Sequence, residues 1–156
     1  MVPWWRLAVF GVFSIPITFF DLRDLRIPDV LSLGGAAVLV VLEILVPARP
    51  ASTVIVEAVT AFGVFAAITL ATRGKLGLGD AKYSLLIVLA LGMFGWLTTL
   101  AVASVTGLAV GLVLVRRHRL SADARIPFAP FLIAGVFLVI ILPQIFPALK
   151  YLFLYF

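Results

Sequence analysis

Long apolar runs separated by short polar stretches dominate the chain and divide it into six segments. They cover about Trp4–Phe20, Pro28–Val46, Val54–Thr72, Ala81–Trp96, Leu97–Val115 and Phe128–Phe146. Most approach the roughly 20 residues that an α-helix needs to cross a hydrocarbon core. None alternates with the strand period, which argues against an outer-membrane barrel. Within a bilayer every backbone N–H and C=O must be satisfied inside the segment, so the runs are predicted to be helices. The fourth is short and holds Gly92 and Gly95, leaving its outer end the least defined. A further apolar, aromatic stretch, Pro147–Phe156, is predicted to lie in or near the interface. The first segment is predicted to be retained rather than cleaved as a signal peptide. Its only basic residue is Arg6, and Phe19-Phe20-Asp21 stands where a cleavage site would need small side chains.

The polar positions orient the bundle. The loops after helices one, three and five carry nine cations (Arg23, Arg26, Arg73, Lys75, Lys82, Arg116, Arg117, Arg119 and Arg125), against three on the other side, Arg6, Arg49 and Lys150. That asymmetry puts the first group in the cytoplasm and both termini outside. Trp4, Trp5 and Trp96 are expected at the outer interface as anchors. The expected fold is therefore an all-α integral membrane protein of about six transmembrane helices, with both termini outside, forming one domain over residues 1–156.

Composition strengthens this picture. The chain is 64% hydrophobic and 12% charged, whereas a soluble domain is about half apolar and about one quarter charged. The net charge of +5 reads as cytoplasmic loop anchoring rather than nucleic-acid binding. With no cysteine, disulfides and thiolate metal sites are excluded. The sole histidine, His118, lies among arginines, a poor start for a metal site. No metal or cofactor is expected.

Ionisable groups near membrane depth are costly and so are candidates for chemistry. Of seven acids, Asp21, Asp24, Asp29, Asp80 and Asp123 fall on the cytoplasmic side, and Glu43 and Glu57 toward the outer half. Asp21 ends helix one, and Asp80 opens helix four directly after Gly77-Leu78-Gly79. Two carboxylates brought together would hold one proton between them, one acting as base on a water and the other as acid on a scissile carbonyl. Glycines beside Asp80 would let an extended substrate backbone approach. An aspartate at a helix N-terminus also serves simply to meet the helix dipole, and for Asp80 alone both readings stand. Asp29, after Pro28, reads as an ordinary helix start. Asp24, between Arg23 and Arg26, reads as their solvated partner, and Asp123 as a loop residue. Glu43 lies inside helix two, to pair with Arg49 or face another helix. Residues 74–80 lack the order of a phosphate-binding loop. Gly107-x-x-x-Gly111 reads as a site of close helix packing.

Three segments then resemble one family. Asp21-Leu22-Arg23-Asp24-Leu25-Arg26-Ile27-Pro28-Asp29 resembles the first catalytic segment of the type IV prepilin peptidases, an Asp followed seven residues on by Pro and then Asn or Asp. Gly77-Leu78-Gly79-Asp80-Ala81-Lys82 resembles their second, the G-x-G-D-x-K signature of the GxGD membrane aspartyl proteases. Ile126-Pro127-Phe128-Ala129-Pro130-Phe131 resembles the segment opening their last helix. The resemblance implies that Asp21 and Asp80 are the catalytic aspartates, with Asp24 the alternate position in the first segment. It gives Gly77, Gly79 and Lys82 supporting roles. It implies cleavage of the short basic leader of prepilins or pilin-like proteins at the cytoplasmic membrane face of a prokaryote. Many bacterial members add a cysteine-ligated zinc site and a methyltransferase activity. A chain without cysteine resembles the short, peptidase-only form.

Rival readings remain. Phe20-Asp21, Gly77-Leu78-Gly79-Asp80 and Pro147-Ala148-Leu149 also resemble presenilin and signal peptide peptidase, though the smaller number of segments and Ile126-Pro127-Phe128 favour the prepilin branch. A small proton-coupled transporter would use Asp21 and Asp80 as an ion relay, and would place them near the bilayer midplane rather than at helix ends. A non-catalytic assembly factor would retain the fold alone.

Overall fold

The computed structural model describes residues 2–71, 77–117 and 126–145. Five helices follow in order: α1 (Trp4–Asp24), α2 (Asp29–Leu45), α3 (Ala51–Ala71), α4 (Leu78–Arg116) and α5 (Ala129–Ile145). Among the described residues there is no strand. The first three each begin directly after a proline (Pro3, Pro28 and Pro50), whose carbonyl accepts the first turn's amides. Proline suits this place because it has no N–H, and one there would find no partner within the helix; the residue before it is also kept from helical geometry. α1 stops at Leu25, which turns left-handed at φ 50° and returns its N–H to the Asp21 carbonyl.

Helices α1, α3 and α4 are long and apolar enough to cross a membrane. Large apolar side chains such as Val12, Ile15, Ile44, Val59, Leu70, Val105 and Leu108 stand exposed around the bundle. An apolar exterior of that extent belongs in lipid. α4 is the hub, packing against each of the other four helices. In its first half Ala81, Tyr83, Ser84 and Leu86–Leu91 are all buried.

The 39-residue α4 is broken at Gly92, where φ 77° and ψ 176° suit only glycine. The Trp96 indole N–H donates to the Ser84 hydroxyl twelve residues earlier. On a straight helix those residues would lie about 18 Å apart, so the chain doubles back at Gly92. α4 thus supplies two helical segments, and the described residues contain six. The expected division at Trp96–Leu97 is corrected to Gly92. Trp96 is likewise corrected from an interface anchor to a core residue: it is 2% exposed and tilted onto Phe65. Windowed apolarity locates a span, but a reversal is fixed by one backbone angle. In the returning half, Gly107 packs on Phe128 and Phe131, and Gly111 on Ile126, which is the close packing expected of that pair. The readings at His118, Asp123, Gly74–Leu76 and Pro147–Phe156 lie outside the described residues.

Charges pin the end of the bundle where α4 reverses. Arg6 donates to both Glu43 oxygens at 2.7 and 2.6 Å. Arg49 donates to Glu57 at 2.5 Å and to the Leu89 carbonyl at 3.0 Å, and approaches Glu43 at 3.7 Å. The second Glu57 oxygen accepts the Met93 N–H at 2.9 Å. Interrupting a helix frees carbonyls on one side of the break and amides on the other. Here Arg49 covers a freed carbonyl and Glu57 a freed amide. Glu43 therefore pairs first with Arg6 and only loosely with Arg49.

Candidate active site

Asp21 and Asp80 both lie at the opposite end of the bundle. The buried stripe of α1 runs Arg6, Phe10, Ser14, Ile17 and Asp21 at helical spacing. It begins in the ion network and ends in a carboxylate 6% exposed. Asp21 Oδ2 accepts the Ala129 N–H at 2.8 Å, so α1 caps the first turn of α5 across 108 residues of sequence. An acceptor there satisfies an orphan amide and meets the positive end of the helix. The Ile126–Phe131 segment thus delivers a helix N-terminus to Asp21.

Asp80 lies in the first turn of α4, its own N–H bonded to the Gly77 carbonyl at 3.1 Å. Its carboxylate folds back toward Gly77 and is near enough to Asp21 for the two charges to interact. Among the described residues no lysine or arginine pairs with either carboxylate. Two like groups with no cation between them can hold one proton jointly. Among the described residues no cluster of His, Cys, Asp and Glu could hold a metal ion.

The supporting residues separate. Lys82 Nζ lies 2.6 Å from Asp29 Oδ2, joining the first motif to the second. Asp29 is therefore more than a helix start. A Cβ on Gly79 would come within 3.0 Å of the Ile27 Cβ, so the close approach at Gly79 is made by the protein's own α1–α2 loop. Gly77 is exposed, and a Cβ there meets only ordinary contacts, which leaves it open to a substrate backbone. Asp24 is half-exposed beside Arg23 at 3.9 Å. It lines an open pocket of about 660 Å³ with Phe20, Arg26, Ile27, Pro28 and Asp29, and neither Asp21 nor Asp80 belongs to that lining.

Tyr83 and Ser14 are buried, and neither hydroxyl completes a hydrogen bond. Nothing in their spacing singled them out. The Ala129 amide was equally invisible, because a backbone donor carries no sequence signal beyond the motif around it.

No curated protein and no solved structure gives a significant match to the chain. The profile of the type IV leader peptidase family matches residues 8–112, a stretch that includes Asp21, Asp80 and the α1–α2 and α4 segments around them. With most of its length matched, the chain belongs to the type IV leader peptidase family.

Proposed function

We propose that the protein is a membrane aspartyl endopeptidase that removes the leader from prepilins or pilin-like proteins at the cytoplasmic face, with Asp21 and Asp80 as its catalytic pair. What supports this is that the two helix-end carboxylates lie at one end of the bundle, near enough to influence each other electrostatically and free of cation partners among the described residues. In this reading the ionised member takes a proton from a water as its oxygen attacks the scissile carbonyl. The protonated member gives its proton to the carbonyl oxygen; the tetrahedral centre then collapses as the first aspartate passes the water's proton to the leaving nitrogen and the second takes back a hydroxyl proton, releasing the amine and a carboxylic acid. The substrate's apolar helix packs in the bilayer, and its leader junction is drawn out as an extended strand beside Gly77.

The same reading has six membrane crossings, both termini outside and the cation-rich loops in the cytoplasm of a prokaryote. Cysteines introduced at Ser52 and Leu25 test the orientation: impermeant reagent added outside should label the first and spare the second. The activity is tested by incubating the detergent-solubilised protein with a candidate prepilin and measuring leader removal by mass spectrometry. Failure of every prepilin, with proton-coupled uptake of a solute in proteoliposomes, would favour a transporter. Broken α4 is the feature a transporter would share. Here, though, the acid and the cation at the break pair with each other and with freed backbone groups.

A further inference from the structure

Asp21 and Asp80 lie on separate helices, so something must set how far apart they sit. α1 and α2 are joined by four residues, Leu25–Pro28, and this short link touches the first turn of α4. Leu25 fixes its start by bonding back to the Asp21 carbonyl, and Pro28 fixes its end with φ −64°. Ile27, before that proline, is confined to extended geometry. The link is therefore stiff and anchored one turn from Asp21.

It holds α4 at two points. Ile27 lies against Gly79, close enough that a Cβ there would be 3.6 Å from the Ile27 amide nitrogen. Asp29, the first residue beyond the link, reaches Lys82 at 2.6 Å. Gly79 and Lys82 are three apart and so share one face of the α4 turn. Asp80 is one position round from Gly79, so the same turn that the link holds also carries Asp80.

We propose that Ile27 and Asp29 are positioning residues, clamping the α4 turn through Gly79 and Lys82 so that Asp80 is held in register with Asp21. The proposal rests on the peptidase reading for its effect on cleavage, but not for the clamp itself. The alternative is that Asp29 only meets the α2 dipole as a first-turn acid. An ion pair as exposed as this one adds little to overall stability. Its loss shifts the turn without unfolding the protein.

The two accounts diverge on exchanging the charges. With Asp29→Lys and Lys82→Asp together, the dipole account expects a worse protein than either single change, because a cation then sits at a helix N-terminus. The clamp expects recovery. Because the chain has no cysteine, Leu22→Cys and Leu78→Cys, both at exposed leucines, accept paired spin labels beside Asp21 and Asp80. Pulsed electron resonance should give one narrow distance distribution in the otherwise native chain. It should broaden with Asp29→Ala or Lys82→Met and narrow again in the charge exchange. On a prepilin substrate, kcat should fall about tenfold in each single variant, as expected for a misplaced reacting group, with KM and the unfolding midpoint little changed, and should recover in the exchange. Unchanged distances in the single variants, a fall in kcat without recovery on exchange, or broadening without a fall in kcat would each overturn the proposal. If the native chain cleaves no prepilin, the peptidase reading fails, and the distance measurements alone decide the clamp.

Discussion

Glu43 and Glu57 at one end of the bundle, and Asp21 and Asp80 at the other, are acids held by helices in apolar surroundings, yet their partners differ in kind. Each glutamate faces an arginine at 2.5–2.7 Å, in a network of two cations and two anions. The aspartates face a backbone amide and a glycine turn, and lie near enough to influence each other's charge. The first set joins chain segments: the start of α1 to the end of α2, and the α2–α3 link to the break in α4. Every charge there has an opposite neighbour, and two freed backbone groups are covered as well. The second set leaves oxygen atoms uncommitted to any cation among the described residues. Charge in this protein thus serves as fastening where signs alternate and, in the proposed peptidase, as chemistry where they repeat.

The sharpest way to break that comparison is to neutralise one acid at each end. Asp21→Asn and Asp80→Asn should each lower leader cleavage on the order of 10³-fold or more, since each removes half of one acid–base function. Their unfolding midpoints should stay near that of the native chain. Glu57→Ala should do the reverse, costing roughly 1–3 kcal/mol in a denaturant titration by leaving the Met93 amide unpaired and the half-buried Arg49 with only Glu43 at 3.7 Å as a counter-charge. Replacing Arg6 and Glu43 together by Met and Leu should cost less than Arg6→Met alone. A fastening role for Asp21 would appear instead as a stability loss matching that of Glu57→Ala.

Gly92→Ala sharpens the fastening side. A side chain at φ 77° costs about 1–3 kcal/mol of backbone strain, and its Cβ would stand 3.4 Å from both Arg49 and Glu57. The change should lower the unfolding midpoint and release Trp96 from Ser84, read as a shift in tryptophan emission. The glycines before Asp80 sharpen the chemical side with a smaller effect. Gly79→Ala should cost stability, because Ile27 occupies the space its Cβ would need. Gly77→Ala, at an exposed position with ordinary extended geometry, should alter stability by less than about 0.5 kcal/mol. A loss of cleavage in Gly77→Ala would then report on the substrate backbone directly. Asp24→Asn should keep substantial activity, since Asp24 lies outside the proposed pair of carboxylates.

The positions of the aspartates were the more legible in the sequence. Asp21 and Asp80 sit at the ends of apolar runs beside distinctive neighbours, and a one-dimensional pattern records both facts. The helices were legible too, because apolar length is written in consecutive residues. The fastening end was not. Arg6, Glu43, Arg49 and Glu57 are scattered over three helices and a loop, and only packing shows which acid meets which cation. The turn at Gly92 hid for a related reason: Gly92 and Gly95 look alike in sequence, and only φ distinguishes them. Trp96 was misplaced with it, since an aromatic at the end of an apolar run resembles an anchor until the chain folds back over it. Asp29 looked like a helix start and is one, but its contact with Lys82 depends on where α4 begins.

The order in which these contacts can form follows from where their members lie along the chain. Arg6, Glu43, Arg49, Glu57 and Leu89 all precede the returning half of α4, and Met93 is its first residue. As synthesis proceeds from the N-terminus, the socket for the reversal exists before the reversal is made. Asp21 is among the first residues inserted, yet its amide donor, Ala129, follows 108 residues later. The nascent chain therefore acquires its rigid end early and leaves Asp21 without its amide donor until α5 docks. A ribosome-bound chain ending after Arg117 should already hold Trp96 in place while Asp21 still lacks its cap.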